Sequence, residues 1–415
     1  MRILVVGGGA REHALAWRLS HEAEVIVAPG NPGIGADCEI TSISAKDHAG
    51  LVTLCKNRAI DLVVVGPEDP LIDGLADVLR AAGIPVYGPN ADGARLEGSK
   101  AFSKDLMSMA GVPTAAFQTF RDASDALEFA RKRFDAGKNV AVKASGNALG
   151  KGVVVATTID EAIDAIETMM IRKEFGSAGE TVVIEDRLNG KEFSLLTIVG
   201  DDNFVSLPLA QDHKRAFDGD QGPNTGGMGV FSPVVQISDD LVREVERTIV
   251  RSTLDVLRVL GISYRGTLFS GIMMDNDKPH CLEFNVRMGD PETQALMMRV
   301  TDGYAAALFA SATGKLIEPP TILDNASVAV VVAAANYPQS GSKGAPITVG
   351  ALPTGSKVFH AGTAMVDGRL VTNGGRIMSA TASAATMIQA RDLAYQAARA
   401  VQFEGARYRS DIGSA

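Results

Sequence analysis

Cysteine is scarce in this chain. Cys38, Cys55 and Cys281 are its only thiols, and no two share a CxxC spacing. That excludes a disulfide framework and a cysteine zinc site, and it fits a reducing cytoplasm. Long apolar runs are missing as well. The longest, Val328–Ala335, falls far below the roughly 18–20 residues that span a bilayer, so no membrane partner is expected. The opening residues, MRILVVGGGAREH, lack the apolar core and cleavage site of a secretion signal. Positive charge is in deficit. The net charge of −9 is spread along the chain, which argues against nucleic-acid binding but allows local basic pockets for anionic substrates. What remains is the composition of a soluble globular protein, 46% hydrophobic and 21% charged. At 415 residues the chain is too long for one core, and three or four domains are expected.

The first hundred residues alternate strand and helix. Apolar runs at Ile3–Val6, Val25–Ala28, Asp61–Gly66 and Pro85–Gly88 read as strands, with helices between them, the first over Arg11–Ser20. Such βα units predict a doubly wound parallel sheet, whose ligands sit at the carboxyl ends of the strands. The loops there are Gly7–Arg11, Pro29–Gly33 and Gly66–Asp69. A dinucleotide fold is not expected. The third glycine of its fingerprint would fall on Glu12, and no acidic residue ends the second strand, where Ala28-Pro29-Gly30 stands instead. Gly8, Gly9 and Arg11 suit a sugar phosphate at a helix N-terminus, although the same glycines also suit a plain tight turn.

A second architecture begins near Ser99. A helix over Ser99–Ala110, a strand over Ala115–Phe120, a helix over Ser124–Phe134 and a strand over Val140–Ala144 lead into the loop Ser145–Gly152 and the strand Val153–Ala156. The loop is no P-loop. The spacing before Gly150-Lys151 is one residue short, Gly152 stands at the Ser/Thr position, and both flanks are strands. Its glycines can still lay backbone amides along a polyphosphate. Lys143 interrupts an apolar interior strand, where a lysine needs an anionic partner; Lys104 on the preceding helix is a second candidate. Further on, Val182–Ile184 ends in Glu185-Asp186, and Glu192 precedes the strand Phe193–Val199.

The segment Lys278–Gln294, KPHCLEFNVRMGDPETQ, is the most informative. Glu283 and Asn285 lie two apart on a strand and therefore on one face. Both offer hard oxygens with no nitrogen or sulfur ligand nearby, which suits Mg²⁺. Arg287, Asp290 and Glu292 follow in a turn. Asp212, His213 and Lys214, with the glycine-rich Gly222–Gly229, offer a site for a small zwitterion or phosphate. A long helix over Ser238–Leu260 carries the stripe Leu241, Val245, Ile249, Val256, Leu260. A C-terminal unit adds strands at Val328–Ala335, Lys357–Ala361 and Arg369–Val371 and a helix over Thr386–Gln402.

The motifs GGAREHA, APGNPG, VVGPE, LEGSKAF, GKGVVVA, QDHKR, GPNTGGMG, EFNVRMGDPETQ, FHAGTA and TNGGR run in one order over nearly the whole chain. In that order the chain resembles the phosphoribosylamine–glycine ligase family of ATP-grasp enzymes. The resemblance implies an ATP-grasp fold (residues 99–323, with a lid lobe at about 121–191) between an N-terminal α/β domain (1–98) and a small α+β C-terminal domain (324–415). It implies a cytoplasmic, monomeric, ADP-forming ligase of purine biosynthesis. Glycine and 5-phosphoribosylamine would be joined through glycyl phosphate, with ATP and Mg²⁺ or Mn²⁺. By the same resemblance Lys104 and Lys143 contact ATP phosphates and Gly150, Lys151 and Gly152 form the lid loop. Glu185, Leu188 and Glu192 line the adenosine pocket. Glu283 and Asn285 hold the metal. Gly9, Arg11, Asn31, Gly33 and Glu68 face the phosphoribosyl group. Asp212, Lys214, Asn224, Thr225, Gly226, Arg287 and Asp290 line the glycine and acyl-transfer site, with Lys143, Asp212, Lys214 and Arg287 as the catalytic set. The chain departs from the family at Ser145 and Asn147 in the lid loop and at Met288, where phenylalanine is usual. Two rivals stay open: another ATP-grasp enzyme, and a nucleotide-binding regulator without turnover.

Overall fold

The computed structural model describes residues 1–146 and 152–414. Asn147, Gly150 and Lys151 of the lid loop lie outside the described residues.

The N-terminal sheet is parallel, with strands in the order Glu39–Ile40, Glu24–Pro29, Arg2–Gly7, Leu62–Val65, Val86–Tyr87. Ile3, Leu4, Val5 and Val6 are fully buried, because helices cover both faces and alternation disappears. Glu39–Ile40 is an additional edge strand, two exposed residues too short to show an alternation.

Two antiparallel sheets form the middle of the molecule. One has the order Phe117–Phe120, Val182–Asp186, Val140–Ala144, Val153–Ala156. Helices Ala123–Asp135 and Ile159–Ile166 pack on it around their own small core. The other has the order Asn203–Ser206, Lys191–Gly200, Arg265–Asp275, Lys278–Asn285. A β-bulge breaks its last pairing: Glu283 faces Gly271, yet Cys281 faces Ile272. A bulge inserts one residue and reverses the alternation beyond it. Cys281 is therefore fully buried in the core, whereas Glu283, also at an odd position, meets the central cavity.

The long helix over 238–260 exists as Asp239–Val245, a π-helical stretch Glu246–Arg251, and Ser252–Val259. Its apolar stripe differs from expectation. Val245 and Ile249 are buried, but from Val250 inside the π turn onward the core takes Val250, Leu254 and Leu257, while Leu260 is exposed. A π turn holds one extra residue, so every later position slips by one.

The C-terminal sheet has the order Gln211–Asp212, Gly229–Ser232, Ala326–Ala333, Arg376–Ala384, Ser356–His360, with helix Met387–Ala400 on it. Its first two strands come from the middle of the chain. That pairing ties the QDHKR and GPNTGGMG segments to the C-terminal unit.

Candidate active site

A cavity of about 400 Å³ lies where these sheets meet. Its wall takes Arg11 and Glu68 from the N-terminal sheet, Lys100 and Lys104 from helix Lys100–Met109, Lys143 and Gly152 from the lid sheet, Asp212, Lys214, Thr225 and Gly226 from the glycine-rich loops, and Glu283, Asn285, Arg287, Asp290 and Glu292 from the Lys278–Gln294 segment.

Lys104 and Lys143 come from different elements and converge on one carboxylate. Lys104 Nζ stands 2.6 Å from Glu185 Oε2, and Lys143 Nζ pairs with Glu185 Oε1. All three are buried. Burial pushes the Glu185 pKa up, but the charges of Lys143 and Lys104 outweigh it and hold the group below its ordinary value. Glu185 thus reaches the phosphate-type lysines. Leu188 and Glu192, further along the chain, are partly buried. Lys104 also donates to Thr114 Oγ1 at 2.6 Å, and that hydroxyl donates to the Cys281 carbonyl at 2.6 Å.

Glu283 and Asn285 both reach the cavity. Among the described residues the Glu283 carboxylate carries no hydrogen bond and no ion pair. Burial raises its pKa, yet Lys214, Lys143 and Lys100 together hold it below the ordinary value. Asn285 Oδ1 accepts from Arg287 Nη2 at 3.2 Å. Among the described residues no group of three or more His, Cys, Asp or Glu side chains forms a metal cage. One free carboxylate beside one amide oxygen suits Mg²⁺, which completes its shell with water and phosphate oxygens.

Arg287 is clamped from two sides. Its guanidinium stands 3.2 Å from Glu68 Oε2 and 2.8 Å from Glu97 Oε1. Glu97 also accepts from the Val286 amide at 2.7 Å. Burial, opposed by the Arg287 charge, pushes the Glu97 pKa up to about 7. The sequence reading missed Glu97; its only signal was a glutamate inside the LEGSKAF motif, at the C-terminal end of helix Ala91–Gly98.

Asp212 and Lys214 form the opposite wall. Lys214 Nζ lies 2.6 Å from Glu192 Oε1 and 3.2 Å from Asp212 Oδ2. Burial alone would lower the Lys214 pKa; Asp212 and Glu192 raise it well above the ordinary value. Glu292 is buried beside them and accepts from Ser194 Oγ at 3.0 Å. Burial and the neighbouring Asp212 charge push its pKa up to about 7. Asp290 meets Arg376 at 3.1 Å, and Arg376 reaches the Gly226 carbonyl at 2.6 Å. Arg376 closes the TNGGR motif, where nothing in the sequence alone points to a role.

The remaining N-terminal residues do not reach this wall. The Gly9 amide donates to Glu12 Oε2 at 2.6 Å, so the anion at that helix start is the protein's own glutamate. Glu12 Oε1 in turn holds Arg11 Nε at 2.6 Å. Asn31 donates to the carbonyls of Gly8 at 2.9 Å and His360 at 2.8 Å. Gly33 packs against the His360 ring, which a Cβ would overlap. Asn31 and Gly33 therefore sit at the contact with the C-terminal sheet. Asn224 is partly buried in the strand Gln221–Asn224, and only its successors Thr225 and Gly226 line the cavity. His213 is held by the C-terminal tail, within 3.3 Å of Arg409 Nη2 and 3.4 Å of the Gly413 amide.

A lid sheet set over a second antiparallel sheet, with paired lysines between them and a carboxylate–amide pair at the strand edge, defines an ATP-grasp enzyme. Its fold resembles the biotin carboxylase domain of a Hydrogenobacter thermophilus 2-oxoglutarate carboxylase, with a TM-score of 0.74 at 16% identity, covering 98% of this chain and 91% of that one. The chain belongs to the phosphoribosylglycinamide synthetase family. The family's N domain matches residues 1–97, its ATP-grasp (A) domain residues 98–293 and its C domain residues 327–415. A phosphoribosylamine–glycine ligase of Rhizobium meliloti is 44% identical over 420 residues, covering 100% of this chain and 98% of that protein. A crystal structure of phosphoribosylamine–glycine ligase from Thermotoga maritima superposes with a TM-score of 0.85 at 34% identity, covering 99% of this chain and 100% of that one.

Proposed function

We propose that this protein joins glycine to 5-phosphoribosylamine, consuming ATP and giving glycinamide ribonucleotide, ADP and phosphate, in purine biosynthesis. The observation that carries this reading is one cavity, in a member of this family, that gathers phosphate-type lysines, a carboxylate–amide metal pair and a glycine-lined zwitterion site. Lys104 and Lys143 would grip the ATP phosphates once Glu185 yields them, with Gly150, Lys151 and Gly152 closing over. Glu185, Leu188 and Glu192 would border the adenosine. Glu283 and Asn285 would hold Mg²⁺, or Mn²⁺ in its place, which supplies charge neutralisation at the phosphates. Arg287, Lys214 and the Asn224–Gly226 backbone would orient the glycine carboxylate, with Asp290 behind them. Gly9, Arg11, Asn31, Gly33 and Glu68 would face the phosphoribosyl group.

A free carboxylate is a poor acyl donor. Its oxygen therefore attacks the terminal phosphorus of ATP, and ADP leaves. The amine then attacks the carbonyl carbon of glycyl phosphate. A C–N bond forms, the C–O bond to phosphorus breaks, and phosphate departs. The amine's surplus proton goes to a nearby carboxylate. Asp212, which is ion-paired with Lys214, would take it. We place the enzyme in the cytoplasm as a monomer; its three thiols are free, and sedimentation tests the monomer.

Isotope transfer tests the reaction. Glycine carrying ¹⁸O in its carboxylate is expected to pass one label per turnover to inorganic phosphate. AMP as product, or unlabelled phosphate in a working reaction, overturns the mechanism. ADP release without glycine or without the amine overturns the substrates.

A further inference from the structure

Lys214 and Thr225 both line the cavity, and they stand at the two feet of one hairpin. Its strands, Arg215–Phe217 and Gln221–Asn224, pair only with each other among the described residues. A lone two-stranded hairpin is marginal in water. The feet are tied together, since the Thr225 amide and hydroxyl each donate to the Lys214 carbonyl at 2.8 Å. Ahead of the hairpin, the His213 amide donates to the Gly229 carbonyl at 2.8 Å. Past that point the hairpin is braced from outside, by the segment that follows helix Met387–Ala400.

The brace is Arg409, which is only 1% exposed. Its Nη1 donates to the Arg215 carbonyl at 3.0 Å and to Asp220 Oδ1 at 2.8 Å, and its Nη2 donates to His213 Nδ1 at 3.3 Å. Asp411 grips the other edge of the guanidinium, accepting from Nε at 2.7 Å and from Nη2 at 2.6 Å. The Arg409 backbone is fixed in turn, because Tyr395 Oη on helix Met387–Ala400 donates to its carbonyl at 2.8 Å. A planar donor set anchored on that helix therefore holds the residues on both sides of Lys214. An apolar side chain of similar volume often serves stability as well as a buried ion pair does. It could not fix the Arg215 peptide and the His213 ring in one plane. Arg409 itself does not line the cavity. Resting on the reading above, in which Lys214 orients the glycine carboxylate, we infer that Arg409 is a positioning residue for the glycine side of the site. It sets Lys214 and, through the Lys214 carbonyl, Thr225. Lys104, Lys143 and Glu185 share none of these contacts. Loss of the brace therefore acts on glycine and spares the nucleotide.

R409K tests the inference. It keeps the charge, but one ammonium cannot hold His213, Arg215 and Asp220 together. Calorimetry is expected to give a dissociation constant for Mg²⁺ and AMP-PNP within twofold of the unsubstituted protein. The dissociation constant for glycine, titrated with AMP-PNP and Mg²⁺ present, is expected to rise at least tenfold. Amide exchange over residues 213–226 is expected to quicken at least tenfold, with that of strand Arg2–Gly7 unchanged. D411N frees one edge of the guanidinium and carries the same test if R409K fails to fold. Equal weakening of glycine and AMP-PNP, or an unchanged glycine affinity, overturns the assignment. The exchange readout needs no substrate. An unsubstituted protein that binds no glycine would sink the proposed substrate. The brace would then be judged by exchange over 213–226, where unchanged rates overturn it.

Discussion

Glu185→Gln removes the carboxylate that holds two buried lysines together. Glu185 sits on strand Val182–Asp186, inside the lid sheet, with Lys143 on the neighbouring strand. Glutamine keeps the volume and loses the charge. Two ammonium groups then face each other in a buried site, and breaking such a pairing costs about 3–5 kcal/mol. Some of that is relieved when one lysine loses its proton, so a loss of about 3 kcal/mol is expected near neutral pH. The sign of the pH dependence follows from the depressed Glu185 pKa. Its stabilisation is present above the ordinary glutamate value and fades as pH falls through the lower folded-state value. The gap between variant and parent therefore closes in acid. A polyphosphate should refill the site. At a hundred times its dissociation constant, a ligand stabilises by about 2.7 kcal/mol. In the parent it must first displace Glu185, and in the variant nothing competes. Thermal unfolding with and without inorganic tripolyphosphate is the assay, since that ligand carries no adenine. The variant should unfold earlier than the parent without the ligand and gain more from it. A variant as stable as its parent, or one that gains no more from tripolyphosphate, refutes the reasoning.

Glu283→Gln should lower turnover on the order of a hundredfold, about 3 kcal/mol of lost transition-state stabilisation, and raise the Mg²⁺ needed for half activity; near-normal activity at limiting Mg²⁺ refutes the metal assignment. Glu292 has a folded-state pKa raised to about 7 by burial and by Asp212, so the parent should lose roughly 2 kcal/mol of stability between pH 4.5 and 7 at this site. Glu292→Gln should flatten that slope in unfolding experiments at the two pH values, and an unchanged slope counts against the pairing. Gly33 has an ordinary φ of −71° and lies against His360, so Gly33→Ala should cost about 1–3 kcal/mol through overlap alone. Adding His360→Ala should recover part of the loss; a double variant no better than Gly33→Ala would place the strain elsewhere.

Much of the fold could be read from the chain because its signals are local. Four strands of the N-terminal sheet and the Val153–Ala156 strand carry continuous apolar runs, and the Val140–Ala144 run is broken only by Lys143. What stayed hidden depends on one-residue insertions or on distant pairing. The bulge at Cys281–Glu283 and the π turn at Glu246–Arg251 each shift a periodicity by one, and no residue type announces either. The joining of Gln211–Asp212 and Gly229–Ser232 to Ala326–Ala333 is a contact across about a hundred residues, beyond any local pattern. The site behaved similarly. Glu283 and Asn285 were legible from spacing, and Lys143 from being a charge in an apolar strand. Glu97 and Arg376 act only through partners far along the chain, so their types gave no signal.

The wall of the cavity also explains why so many charges can be buried together without a ligand. Lys104 and Lys143 share Glu185, Lys214 is split between Glu192 and Asp212, and Arg287 between Glu68 and Glu97. Each cation is already fixed in place by side chains that a substrate anion can replace. On the proposed reaction, binding is then an exchange of one carboxylate for one phosphate or carboxylate, with little change in buried charge. Such an exchange gives modest affinity for the ground state, since the gain is a difference between two similar pairings. It leaves the aligned cations free to act on charge that appears only as the phosphoryl group moves.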